Sequence, residues 1–226
     1  MESAHYIDDP VAGRQAVGHG GLFFGVYPAL VVDIVDPENQ GRVKVKLPWS
    51  PDPKSGGDGG YQVWARLATM AAGNQRGSWW IPDKDDEVLV SFQAGDPRHP
   101  FVVGMLWNGP DKPPETMDAN GENQIKSFVT RNKVKIKMND TNGEEELQLE
   151  TPAGQKVVLS DKDKSIEIKD SHGNKIRLDS SGVTIDSTTG VTIRATSKVD
   201  VTAPAVDVTA AMSKFSGTVK ADAVIT

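Results

Sequence analysis

The sequence contains no cysteine. That removes disulfides, thiolate metal sites and thiol nucleophiles together. Aromatic residues are few, 6% of 226, and they are unevenly placed. All five Trp lie between Trp49 and Trp107, and no aromatic residue occurs from Val129 through Lys214. One part of the chain can build an aromatic core and the other cannot, so two different cores are expected. No apolar run is long enough to span a bilayer. The start, Met1-Glu2-Ser3-Ala4-His5, lacks the basic segment and apolar stretch of a signal peptide, so synthesis and assembly in a cytoplasm are expected. An excess of positive charge is also missing: the net charge is −6. Nucleic-acid binding needs clustered Lys and Arg against phosphate, and is not expected.

What the chain does have is a ladder. From about Asn132 to Thr226 it repeats short apolar–polar–apolar units: Val134-Lys135-Ile136, Leu147-Gln148-Leu149, Val157-Val158-Leu159, Ile166-Glu167-Ile168 and Ile176-Arg177-Leu178. Val183-Thr184-Ile185, Val191-Thr192-Ile193, Val199-Asp200-Val201 and Val206-Asp207-Val208 continue it. From Leu147 the units start 10, 9, 10, 7, 8, 8 and 7 residues apart. Turn formers such as Thr141-Asn142-Gly143, Pro152-Ala153-Gly154 and Ser181-Gly182 separate them. Each unit is one short strand and one corner. Such a strand has too few apolar side chains to bury a face alone, and repeat units are stable only when stacked.

Three architectures answer that need. A single-chain β-helix would need about three strands per rung and a corner pattern of triple period, which is not seen. A monomeric antiparallel sandwich of short strands would hide the apolar face within one chain. An intertwined trimer would let each chain supply one side of a triangular prism, with Val, Ile and Leu on the axis and Lys, Glu, Arg, Asp and Thr outside. We favour the trimer. Its axial core would be Val183, Ile185, Val191, Ile193, Val199, Val201, Val206 and Val208, and the shortening units would taper toward a tip at Val224, Ile225 and Thr226.

The preceding residues read as an arm over 1–20, a β domain over 21–109 and a Pro-rich neck over 110–131, with shaft and tip over 132–226. In the β domain, Leu22 to Val35 is a first strand bent near Pro28. Asp36-Pro37-Glu38-Asn39-Gln40-Gly41 is a turn into the alternating Arg42–Leu47 strand. Residues 49–60 form a loop. Tyr61–Leu67, Glu87–Phe92 and Phe101–Trp107 complete five strands, which predicts a small barrel of the OB type. The fold class is therefore all-β: a five-stranded OB-type barrel followed by an intertwined trimeric β-helix.

Candidate chemistry is sparse. His5, His19, His99 and His172 sit in the arm, a Pro-flanked turn and a repeat corner, without a second ligand at metal spacing. Asp83, Asp85, Asp86 and Glu87 cluster, but lack the alternation and turn Gly of a calcium loop. Gly56-Gly57-Asp58-Gly59-Gly60 has no following Lys-Ser/Thr for a phosphate cradle. Arg131, Lys133, Lys135 and Lys137 alternate as a solvated strand face. No catalytic, cofactor or metal residue is assigned, and an enzyme is not expected.

Three stretches carry a resemblance. Asp36-Pro37-Glu38-Asn39-Gln40-Gly41-Arg42-Val43-Lys44-Val45, then Trp64-Ala65-Arg66 with Gly77-Ser78-Trp79-Trp80-Ile81-Pro82, then Asp86–Phe92 with Gly95-Asp96-Pro97-Arg98-His99-Pro100 and Asn108, are similar to the OB domain of central spike proteins in contractile phage tails and type VI secretion systems, of the gpV and VgrG kind. They span about 70 residues in consistent order. The resemblance implies a homotrimer with a β-helical shaft that pierces a target envelope when a sheath contracts. It also implies inner-tube and baseplate contacts, a PAAR-type protein at the tip and effector cargo. Longer members carry an N-terminal hub of several hundred residues, so here the hub is expected on a separate polypeptide at the barrel end. The short Asn108–Asn132 stretch leaves no room for an inserted lysozyme domain. The C-terminus has no His-x-His, so no tip metal is expected. A trimeric tail-fibre or adhesin is the alternative function.

Overall fold

A computed structural model describes residues 21–50 and 59–220. The chain divides between Gly121 and Glu122 into two units. The expected arm over 1–20, residues 51–58 of the expected 49–60 loop and the expected tip residues Val224, Ile225 and Thr226 lie outside the described residues.

The first unit is a closed barrel of β1 (Val26–Asp33), β2 (Val43–Leu47), β3 (Tyr61–Leu67), β6 (Glu87–Phe92) and β7 (Pro100–Leu106). A two-residue hairpin, β4 (Ala72–Gly73) and β5 (Arg76–Gly77), stands at the bend after β3. The barrel runs β1-β2-β3-β7-β6 and returns to β1. Its closing seam is a short parallel pairing of Arg66 with Phe101 and Leu67 with Val102, while the other pairings are antiparallel. Period-two alternation decides what goes inside. Val43, Val45 and Leu47 are buried while Lys44 and Lys46 lie between them half-buried, and Val88, Val90 and Phe92 repeat the pattern on β6. Pro28 is tolerated within β1 because pairing with β2 begins only at Leu30, so no ladder bond is lost on that side. Phe23, Tyr27, Trp49 and Phe92 pack as an aromatic cluster, with ring centroids 4.8–6.4 Å apart. Trp49 Nε1 donates to the Pro28 carbonyl at 2.7 Å, which satisfies the indole's one donor.

The second unit is one seven-stranded antiparallel meander: β8 (Ile125–Val129), β9 (Lys135–Asn139), β10 (Glu146–Glu150), β11 (Lys156–Ser160), β12 (Ser165–Lys169), β13 (Lys175–Asp179) and β14 (Gly182–Asp186). Six of these carry repeat units read from the sequence. β8 falls inside the stretch read as a neck; its apolar Ile125, Phe128 and Val129 do not alternate strictly, so the pattern hid it. Arg131 and Lys133 occupy the β8–β9 turn, Lys133 at φ 67°, so only Lys135 and Lys137 of the expected basic row share a strand.

After Asp186 the described residues contain no further strand. The units at Val191, Val199 and Val206, expected as strands, make none within one chain. The physical reason is a missing partner: a three-residue unit fixes its backbone only if a neighbouring strand accepts its hydrogen bonds. The start of this segment is tied back to the sheet. Asn174 Oδ1 accepts from Thr188 N at 3.0 Å and Ser187 Oγ at 2.9 Å, and Asp170 in turn holds Asn174 through its backbone N–H and its side-chain amide.

Candidate assembly surface

The motif that opens the barrel resolves into a single carboxylate-centred turn. Asp36 accepts from the backbone N–H groups of Glu38, Gln40 and Arg42 at 3.1, 2.8 and 3.2 Å. The Arg42 guanidinium adds a two-pronged contact, Nη2 to Oδ1 at 2.7 Å and Nε at 3.2 Å, and lies over the Trp64 ring at 5.7 Å. Gly41 has φ 70°, and a Cβ there would come within 3.1 Å of the Trp79 ring. The Asp, the Gly and the Arg are thus one unit, each needed by the others.

The Arg42 guanidinium, together with the three backbone donors, holds the Asp36 carboxyl well below its ordinary value, against the burial that pushes the other way. A carboxyl with a depressed folded pKa contributes stability that is complete above about pH 4 and is lost as pH falls through the folded value. Asp36→Asn is therefore expected to lower the barrel's melting temperature by several degrees at pH 7, and the gap should narrow progressively as both proteins are melted below about pH 4, closing only as the depressed folded value is approached. A gap that persists unchanged at low pH would show that the charge is not the cause.

On the second unit, strand register sorts the repeat units onto one face. Directly paired residues share a face, so Phe128, Ile136, Leu149, Val157, Ile168, Ile176 and Ile185 form one continuous row. Met138, Leu147, Leu159, Ile166, Leu178 and Val183 form a second row beside it. The rows run on the order of 30 Å at the usual strand spacing. Most of these side chains are open to solvent in the single chain, and contiguous apolar surface on this scale marks an interaction face. The opposite face carries Lys137, Gln148, Glu167 and Arg177 in its central row.

Of the expected axial residues, Val183 and Ile185 lie in β14, one at the end of each apolar row. Val191, Ile193, Val199, Val201, Val206 and Val208 lie in the segment beyond, all exposed, Ile193 at 73%. The chain by itself does not bring those six together.

The strand-end turns are fixed by carboxylates rather than assembled for chemistry. Asp179 accepts from Ser181 Oγ at 2.6 Å and Arg177 Nε at 2.9 Å, which lowers its pKa to about 2. Asp96 binds Arg98 likewise and titrates far below its ordinary value, with His99 in the same turn. Asp86 caps the turn before β6 by accepting from Asp83 N at 2.8 Å. Among the described residues no three His, Asp or Glu side chains converge as a metal site. Asn108, the last residue of the third motif, bridges Glu87 to Asp111 at 3.1 and 2.7 Å. Sequence reasoning missed a second exposed patch: Met70, Trp79 and Trp80 project around the β4–β5 hairpin. The Trp79-Trp80 pair itself was the available signal.

Two family descriptions match this arrangement. Residues 27–107 match the type VI secretion system/phage-baseplate injector OB domain. Residues 146–212 match the phage baseplate V C-terminal trimerisation domain, and they take in five of the seven strands together with the unpaired segment. Over these two segments the chain is homologous to phage-baseplate and type VI spike proteins. Among its relatives is the type VI secretion system spike protein VgrG3 of Vibrio cholerae, 32% identical over 144 residues, which cover 63% of this chain and 13% of the relative. Spike protein VgrG1a of Pseudomonas aeruginosa is 32% identical over 124 residues, 52% of this chain and 19% of that one. The actin cross-linking toxin VgrG1 of Vibrio cholerae is 29% identical over 136 residues, covering 57% and 12%. This chain spans less than a fifth of the length of these spike-family relatives. No helix among its described residues is long and apolar enough to cross a membrane.

Proposed function

We propose that the protein is a non-enzymatic, homotrimeric spike of a contractile injection particle. Three sheets close into a prism with their apolar rows inward, and the segment beyond β14 winds with its two counterparts. In that segment Val191, Ile193, Val199, Val201, Val206 and Val208 supply the axis, continuing from Val183 and Ile185. The shaft, counted from residue 132, pierces the target envelope when a surrounding sheath contracts. The barrel meets a hub, inner tube and baseplate, and Val224, Ile225 and Thr226 meet a PAAR-type tip protein; effector cargo travels with the spike.

The observation that carries this reading is the exposed double apolar row on a sheet within a trimerisation domain. Burying such side chains is worth about 1.5–3 kcal/mol each before entropy is subtracted, and an isolated chain forgoes most of it. Rigidity follows from the same geometry, since strands tied to two other chains open only by breaking many contacts together. The test is the absolute mass of the purified chain by light scattering, with an unheated SDS gel beside it. Three times 24.3 kDa is expected, persisting in SDS until boiling. A monomer that stays soluble across the accessible concentration range would defeat the reading.

A further inference from the structure

The sheet's two strand-end edges carry opposite charge. Register places Lys135, Glu150, Lys156, Lys169, Lys175 and Asp186 in one row at the first edge. With its turns, that edge spans residues 129–135, 150–156, 169–175 and 186, and it holds six cations against three anions. At the other edge lie Asn139, Glu146, Ser160 and Ser165, with the turns between β9 and β10 and between β11 and β12. Residues 139–146, 160–165 and 179–182 there hold seven anions against two cations.

The basic row is costly within one chain. Lys156, Lys169 and Lys175 sit directly opposite one another on adjacent strands, and like charges so placed are destabilising. Lys175 is offset by Asp186 at 3.3 Å and Lys169 by Glu167 at 3.6 Å. On the acidic edge Lys162 pairs with Glu144, and Arg177 with Asp179. Both edges keep their net sign.

Three-fold symmetry gives that polarity a use. In a cyclic trimer each contact is heterologous, so one edge of a sheet faces the other edge of the next copy. Resting on the homotrimer reading above, we propose that the partner of the basic edge is the acidic edge of the neighbouring copy, with Lys156, Lys169 and Lys175 facing the turns that bear Glu145, Glu146 and Asp161. Attraction across the three corners then sets each wall's rotational sense and opposes packing in which like edges meet.

The test is a cycle on the full chain. One variant carries Lys156→Gln, Lys169→Gln and Lys175→Gln, a second carries Glu145→Gln, Glu146→Gln and Asp161→Asn, and a third carries all six. Each is refolded from urea over a concentration series and scored by native mass spectrometry. Neutralising the lysines relieves their mutual repulsion inside a chain but also removes the Lys175–Asp186 and Lys169–Glu167 pairs, so the six-fold variant, not the single-edge loss alone, isolates the contact between chains. Each single-edge variant is expected to need roughly tenfold more protein to reach half trimer. The six-fold variant should need no more than either, and wild type should weaken with added salt. A wild-type trimer whose variants assemble equally well, or whose two edges add independently, would overturn the pairing and leave the trimer standing. A wild-type monomer would remove both.

Discussion

Ile193→Asp is expected to leave the chain monomeric while its barrel melts as in wild type. The position lies in a segment whose described residues form no strand within one chain, so in the trimer proposed above its order comes from the other copies. A three-fold axis multiplies the substitution: three carboxylates would enter one layer, each deprived of water and each repelling the other two. Three isoleucine side chains are lost from that layer as well, at about 1.5–3 kcal/mol apiece. Light scattering reads the assembly. Tryptophan fluorescence reads the barrel alone, because all five Trp lie between Trp49 and Trp107. A variant with the wild-type mass and heat resistance would show that Ile193 does not face the axis.

Val90→Asp should do the reverse. Val90 is fully buried on β6, between Tyr27 of β1 and Val102 of β7. An unpaired charge in that core has no nearby donor to answer it, and such substitutions stand in the small class costing more than about 4 kcal/mol. Against a usual domain stability of roughly 5–15 kcal/mol, the barrel should be largely unfolded at 37 °C. The fluorescence transition should vanish or fall steeply in temperature, while the mass stays that of three chains. If assembly were lost together with the fluorescence transition, the two cores would be one cooperative unit and the boundary near Gly121 would have no energetic meaning.

Those two substitutions also mark how far the sequence could be read. The barrel strands were legible because Val43, Val45 and Leu47 alternate with lysines, and the same rule found β6. What alternation could not show was the closing seam, since two residue pairs between β3 and β7 leave no composition signal. The turn motif was visible as a string but not as a mechanism; that Asp36 gathers three backbone donors and Arg42 follows only from its geometry. In the ladder, the triplets from Val134 to Ile185 fall in strands, with Val134 itself left in the turn before β9. The triplets at Val191, Val199 and Val206 read the same and yet make no strand in one chain. A short strand's pattern reports which face it buries, never whose chain supplies the neighbour. The charge difference between the sheet's edges was hidden for a related reason: Lys156, Lys169 and Lys175 become neighbours only once the register is known.

The sequential order of the meander has a consequence in time. Every strand from β9 to β14 pairs with the one made just before it, so the wall needs only short loop closures and should form within milliseconds or faster. Among the described residues beyond Asp186 no such pairing occurs within one chain. In the trimer proposed above they wait for two other chains, and their rate depends on encounter rather than on conformational search. The slow step of biogenesis is thus expected in the segment beyond β14, which is made after the wall it follows. Any lag during which finished walls stand with their apolar rows uncovered is the interval in which a chaperone, or a crowd of nascent neighbours on one message, would decide between a spike and an aggregate.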